Sequence, residues 1–176
     1  GYICGTSGII IKTTNGGLNW LSQQSNLNVS LNDIFFVDGQ NGYIVADNGF
    51  ILKTTNGGVN WVNQNIGIEA LRSVCFANAS TGIICGDRQY FQQFPRSKRI
   101  VLMTTDAGAT WHFVLNEDLS GYAYFYDIIF INSQTAILSS ESDHVGYLYR
   151  TDNSGLSWSQ SFGPVPYYGG LKCLFG

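Results

Sequence analysis

Hydrophobic and polar positions alternate in short bursts along this chain, and each burst ends at a turn signal. The cleanest stretch runs from Leu31 to Gln64. LNDIFFV (Leu31 to Val37) sets Leu31 and Asp33 against Ile34 and Phe36, then turns through DGQNG. YIVAD (Tyr43 to Asp47), a turn at Asn48-Gly49, FILKTT (Phe50 to Thr55), a turn at NGG and NWVNQ (Asn60 to Gln64) complete the stretch. Alternation over a few residues bounded by Asn-Gly predicts hairpins, because those residues tolerate positive φ. Four strands in up-and-down order predict one blade of a β-propeller. Equivalents recur at Leu71 to Phe76 with Gly82 to Gly86, and at Tyr126 to Ile131 with Ala136 to Ser140.

One phrase punctuates these units four times: TTNGGLNW from Thr13, TTNGGVNW from Thr54, TTDAGATW from Thr104 and TDNSGLSW from Thr151. It contains all four tryptophans, Trp20, Trp61, Trp111 and Trp158. Repeats of about forty to fifty residues mark propellers or solenoids. Within the phrase a short acceptor side chain (Asn15, Asn56, Asp106, Asn153) is placed to bond backbone N–H groups just ahead and lock a tight turn. The glycine (Gly17, Gly58, Gly108, Gly155) supplies backbone freedom. The tryptophan is expected to seal the space between neighbouring blades. Each turn offers too few oxygens for a cation cage, so no metal and no cofactor is expected.

The phrase resembles the Asp-box, or BNR repeat, and its TTNGG-x-x-W form is similar to the photosystem II stability/assembly factor-like propellers. The L-x-D-I-x-F and G-Y-I-V segments fit that family too. The resemblance spans essentially the whole chain and implies an all-β propeller of four-stranded antiparallel blades. It does not fix a function, since Asp-box propellers include sialidases, xyloglucan-cleaving hydrolases, sorting receptors and assembly chaperones. A sialidase would need arginines on separate blades, whereas Arg88, Arg96 and Arg99 share one segment. The resemblance implies a non-enzymatic assembly module, with a glycan-binding or glycoside-hydrolase-type propeller as the alternative.

The expected organisation is one propeller domain over residues 1–176, with blades at about 31–66, 71–116 and 126–162. A fourth blade would join Leu171 to Gly176 with residues 1–25, as first strand and remainder. The ring would either close with four blades or form an arc of a larger one. Because the chain opens at Gly1 in mid-repeat, it is expected to be a piece of something longer.

The repeats disagree in four segments, all assigned to one face as loops: Arg88 to Arg99, Leu115 to Tyr126, Glu141 to Gly146 and Phe162 to Gly170. Variable segments on a rigid scaffold are where binding resides. Arg88 to Arg99 carries four cations and no acid, interleaved with Tyr90, Phe91 and Phe94, in an otherwise acidic chain. Arg88, Tyr90, Phe91, Phe94, Arg96, Lys98 and Arg99, with Tyr167 and Tyr168, are therefore the expected partner-binding residues, because Arg and aromatic side chains dominate interface centres. A hydrolase would draw on Glu69, Glu117, Asp118, Glu141 or Asp143. His112 and His144 have no partner at useful spacing. No catalytic residue is assigned.

Composition changes the picture little. The 176 residues suffice for a core, and the net charge of −3 disfavours nucleic acid as partner. A protein partner is expected and a glycan is the second candidate; no apolar run is long enough for an integral membrane segment. Low charge with abundant Asn, Ser, Thr and Gly fits an extracytoplasmic protein, whether periplasmic, lumenal or secreted to the cell surface. The four cysteines are either separate buried thiols or include a Cys75–Cys85 bridge, which pairing of Phe36 with Ile44 would bring face to face; Cys4 and Cys173 would lie near one another only if the two chain ends meet.

Overall fold

A computed structural model describes residues 1–67, 70–91, 95–120 and 123–166, with the backbone alone described at 89–91, 95–97, 116–120, 162 and 164–166. Every described strand belongs to an antiparallel sheet in which sequence neighbours are spatial neighbours. The first sheet has three strands, β1 (Tyr2–Cys4), β2 (Ile10–Lys12) and β3 (Leu21–Gln23). The second holds β4 (Leu31–Phe36), β5 (Gly42–Ala46), β6 (Phe50–Thr54) and β7 (Val62–Asn65). The third holds β8 (Ala70–Phe76), β9 (Gly82–Phe91), β10 (Pro95–Thr104) and β11 (His112–Ser120). The fourth holds β12 (Ala123–Phe130), β13 (Ala136–Ser142), β14 (Val145–Thr151) and β15 (Ser159–Pro166). These are four up-and-down sheets of the kind that form propeller blades. The expected contribution of Leu171 to Gly176 to the first sheet lies outside the described residues. The chain divides into two compact units, Gly1–Leu71 and Arg72–Gly176, described separately below.

Strict alternation would put Leu31 on the face opposite Ile34 and Phe36. A β-bulge overturns that expectation: Leu31 pairs with Ala46, but Asp33 already pairs with Val45. Asn32 is the extra residue, so Leu31, Ile34 and Phe36 share one face with Ala46, Ile44 and Gly42. That face belongs to a core with Ile10, Leu52 and Trp61. The Asp33 carboxylate accepts from the Ile34 amide at 2.8 Å. The fourth sheet repeats the device, with a bulge between Phe125 and Asp127 and the Ile128 amide donating to Asp127 Oδ1 at 2.9 Å.

The following turn is tighter than the sequence suggested. Asp38 Oδ1 accepts from the Gln40 and Asn41 amides at 2.7 and 2.8 Å, and the Val37 amide donates to the Asn41 carbonyl. Phe36 therefore pairs with Gly42, and Ile44 with Ile34, two residues from the expected register. Asn78 and Asn132 hold the equivalent turns in the same way. Without the supposed register Cys75 and Cys85 have no reason to bridge, and Cys4, Cys75 and Cys85 form no disulfide among the described residues. Cys173 lies outside the described residues. A Cβ at Gly42 or Gly82 would stand 2.6 Å from the ring of Phe36 or Phe76. Each ring in turn meets a tryptophan edge-on, Phe36 with Trp61 and Phe76 with Trp111, both at 6.0 Å.

The repeated phrase is one hydrogen-bond circuit in four copies. In the second, Thr54 Oγ1 donates to Asn56 Oδ1 (3.0 Å) and accepts from the amides of Asn56 (3.3 Å) and Gly58 (2.9 Å). Asn56 Oδ1 then accepts from the Asn60 amide at 2.9 Å. The same four bonds recur around Thr13, Thr104 and Thr151. The threonine, to which sequence reasoning gave no role, is the hub. Gly17, Gly58, Gly108 and Gly155 all have positive φ.

Thr54 is buried, so Thr54→Val strands two amides and should destabilise the protein by about 1–3 kcal/mol. Thr54→Ser should recover most of that loss in urea unfolding. Asp106 gives a pH-dependent counterpart. Its carboxylate accepts first from Thr110, through hydroxyl and amide, and then from the Thr104 hydroxyl, which holds it well below the usual carboxylate range. Its pKa is depressed on folding, so its contribution is full above about pH 4 and fades as the pH falls. Asp106→Asn, the residue at this place in the other three copies, should lose less stability than the wild type on acidification from about pH 5 to about pH 2.

Candidate partner-binding surface

In three sheets a polar residue near the start of the first strand, the bulge residue itself in the second and fourth, is caught by an acid fifteen residues later. Asn32 Nδ2 donates to Asp47 Oδ1 at 2.9 Å. Arg72 forms a two-toothed pair with Asp87, Nε to Oδ1 at 2.8 Å and Nη2 to Oδ2 at 3.3 Å. The Tyr126 hydroxyl donates to Glu141 Oε2 at 2.9 Å. Start of first strand and end of second lie at the same end of an up-and-down sheet, so each sheet presents a different head group at an equivalent place. Sequence reasoning missed Arg72, Asp87 and Tyr126. The signal was there in the shared spacing of L-x-D-I and the acid that closes Y-I-V-A-D.

In the unit Arg72–Gly176 the described parts of the irregular segments are mostly strand extensions, which corrects their reading as loops; residues 92–94, 121–122 and 167–170 of those segments lie outside the described residues. The β9–β10 ladder continues without a break from Thr104 opposite Gly82 to Pro95 opposite Phe91. β11 follows β10 out to Ser120 opposite Arg96. Leu115 to Ser120 thus adds a third strand to the hairpin instead of forming a separate loop. Continuing the ladder pairs backbone groups that a loop would leave to solvent. Glu141 and Ser142 end β13, Val145 and Gly146 begin β14, and only Asp143 and His144 turn, both at positive φ.

The expected binding residues divide accordingly. Arg88 and Lys98 face each other across the ladder and are half-buried, with Asp118 opposite Lys98 on the other side. Arg96 pairs with Tyr90, and Phe91 with Pro95, near the tip. Phe94, Tyr167 and Tyr168 lie outside the described residues, as does Glu69. Arg99 departs from the set: it is 6% exposed, and its head group lies over the rings of Phe125 (5.0 Å) and Tyr149 (5.3 Å). Its Nη1 donates to Ser140 Oγ at 3.2 Å and to the Tyr149 hydroxyl at 3.1 Å. Its cross-strand neighbours are Asp87 and Glu117. A guanidinium stacked on aromatic rings and bonded from its edge is an internal clamp joining the third sheet to the fourth. Alternation explains it, since Lys98 and Arg99 must point to opposite faces.

Two acids, Asp87 and Glu141, are also committed. Asp87 is buried beneath Arg72. Glu141 carries the Tyr126 hydroxyl and lies 3.6 Å from the exposed imidazole of His144. Burial first, then the bond to Glu141, pushes the Tyr126 phenol well above its ordinary range, so it remains a donor. Tyr124 stacks on it at 5.9 Å. The end of this unit therefore sets Arg72 over buried Asp87 and stacked tyrosines beside buried Glu141, while half-buried Arg88 and Lys98 lie on the other face of their sheet. Ser73 Oγ to Asp127 Oδ1, at 2.8 Å, ties β8 to β12 at the same level.

Comparison with known proteins agrees with this architecture. The family model described as photosynthesis system II assembly factor YCF48 matches residues 19–163. A solved structure of YCF48 bound to D1 peptide is 26% identical with a TM-score of 0.58, covering 75% of this chain and 40% of that one. YCF48 from Cyanidioschyzon merolae is 22% identical with a TM-score of 0.54, covering 75% and 39%. The GH74 enzyme of Niastella koreensis is 18% identical with a TM-score of 0.62, covering 90% and 27%. The chain spans well under half the length of these proteins. Among curated proteins none matches. Together the four sheets and these neighbours establish a β-propeller fold.

Arg99→Met should cost about 2–3 kcal/mol, because it removes a buried, hydrogen-bonded charge. Lys98→Ser, one residue away and half-buried, should change stability by less than about 0.5 kcal/mol. Chemical denaturation of both variants checks the contrast.

Proposed function

The chain belongs to the photosynthesis system II assembly factor YCF48 family, and from that premise we propose that it is a non-enzymatic assembly module of an extracytoplasmic protein that captures a protein partner at the ribbon-bearing end of Arg72–Gly176. The observation that carries this reading is the β9–β10–β11 ribbon. It breaks the repeat, it stands on a clamped base at Arg99, and its register places Arg88, Tyr90, Arg96 and Lys98 on one face of the β9–β10 hairpin. Affinity would come from Arg and aromatic side chains held on rigid strands, which lowers the ordering cost of binding. The family supports a protein partner, and a relative binds a D1 peptide. Composition and family together support the extracytoplasmic setting.

A glycan-binding or glycoside-hydrolase-type propeller is the rival. Its support is likeness of fold to GH74 enzymes, and its strongest acid candidate, Glu141, is occupied by Tyr126.

Replacing Arg88, Arg96 and Lys98 together by Ser should weaken capture of a D1 peptide by the whole chain about tenfold or more, equivalent to about 1.4 kcal/mol. The melting temperature should stay close to that of the wild type. Unaltered capture would refute the ribbon as the binding element, and turnover of a glycan that Glu141→Gln abolishes would favour the rival.

A further inference from the structure

The Asp-box turns look uniform, yet the fourth differs where the others agree. The residues flanking the hub threonine are Lys12 and Thr14, Lys53 and Thr55, Met103 and Thr105, but Arg150 and Asp152 in the last copy. There Arg150 Nε donates to Asp152 Oδ2 at 2.9 Å and Nη2 to Oδ1 at 2.6 Å, and the buried Thr135 hydroxyl adds a third bond to Oδ1 at 3.0 Å. The pair borders an open cleft of about 270 Å³ lined by Arg150, Asp152, Asn153, Ser157, Trp158 and Ser159. It lies at the end of β14 remote from the Asp143–His144 turn, away from the surface described above.

An exposed ion pair adds little to stability, and the other three turns form the same circuit without one. What the pair adds is a rigid polar edge. Among the described residues Asp152 Oδ1 is filled by two donors, whereas Oδ2 receives only Arg150 Nε and keeps an acceptor direction open. Arg150 Nη1 has no partner among the described residues. Ser157 Oγ accepts from Asn153 Nδ2 at 2.8 Å, which leaves its proton free to donate. Trp158 is fixed by its own Nε1, which donates to the Gly155 carbonyl at 3.1 Å. A fixed indole beside an adjoining acceptor and donor suits a ligand with one apolar face and neighbouring hydroxyls at its rim.

We propose that this cleft binds a neutral pyranose unit of a glycan, with one hydroxyl donating to Asp152 Oδ2, the vicinal hydroxyl accepting from Arg150 Nη1, and the sugar's C–H face against Trp158. The site is independent of the partner surface, and either stands if the other falls. Residues of a sister repeat supply the test: Arg150→Lys with Asp152→Thr rebuilds the first and second copies, so the turn should fold as they do. The whole chain is titrated by calorimetry with cellotetraose, mannotetraose and chitotetraose to about 10 mM, which covers the millimolar affinities of small sites. At least one should saturate in the wild type and weaken about tenfold or more in the double variant, with unchanged melting. Failure of all three to saturate, or equal binding by the double variant, overturns the assignment. If that variant melts early, Asp152→Asn alone carries the same expectation, because it keeps the shape and removes the charge.

Discussion

The fold depends on a threonine hydroxyl that does three things at once. In each copy Oγ1 donates to the Asn or Asp two residues on and accepts two backbone amides, so a turn rich in orphan N–H groups is satisfied from within. Unpaired buried amides are expensive; the circuit pairs those inside the turn, and the next amide (Gly57, Ala107, Ser154) donates to a carbonyl of the turn between first and second strands (Gln40, Ser80, Gln134). The tryptophan that ends the phrase is thereby delivered to a fixed place. In the second and third copies that place is the edge of Phe36 or Phe76, and the absence of a Cβ at Gly42 and Gly82 gives those rings their room.

A second constraint turns scaffold into surface. The bulge keeps three large side chains of the first strand on the core face and must push one residue out. What is pushed out is free to vary, because packing does not choose it: Asn32 and Tyr126, like Arg72 near the start of the third sheet's first strand, share a kind of partner but no chemistry. The proposed partner surface and the proposed sugar cleft follow one logic. Both sit where one copy carries a polar group that the shared circuit does not use, on backbone that the circuit has already fixed.

Much of this was legible in the sequence. Trp spacing, Asn-Gly turns and alternation in Leu31 to Gln64 gave the strands and their order. The register was not legible, because Asp38 and Asp33 accept backbone amides at a shortened turn and at a bulge that inserts one residue; alternation alone cannot count a bulge. The segment proposed to bind was singled out by its departure from the repeat, but read as a loop because its polar residues concealed a continuous ladder. Arg99 shows the cost of grouping by composition. It shares a cationic run with Lys98, yet strand alternation sends it inward to Phe125 and Tyr149. Arg72 and Tyr126 were overlooked because a lone polar residue in a strand looks like ordinary solvent-facing alternation.

Amide hydrogen exchange tests the central claim most directly. If the threonine circuit holds all four turns, the amides of Gly17, Gly58, Gly108 and Gly155 should exchange slowly despite their position in tight turns. The amides of Asn19, Asn60, Thr110 and Ser157, bonded to the Asn or Asp oxygen, should be protected with them. Exchange of these amides at the rate of an unstructured chain, while the strands remain protected, would contradict the account.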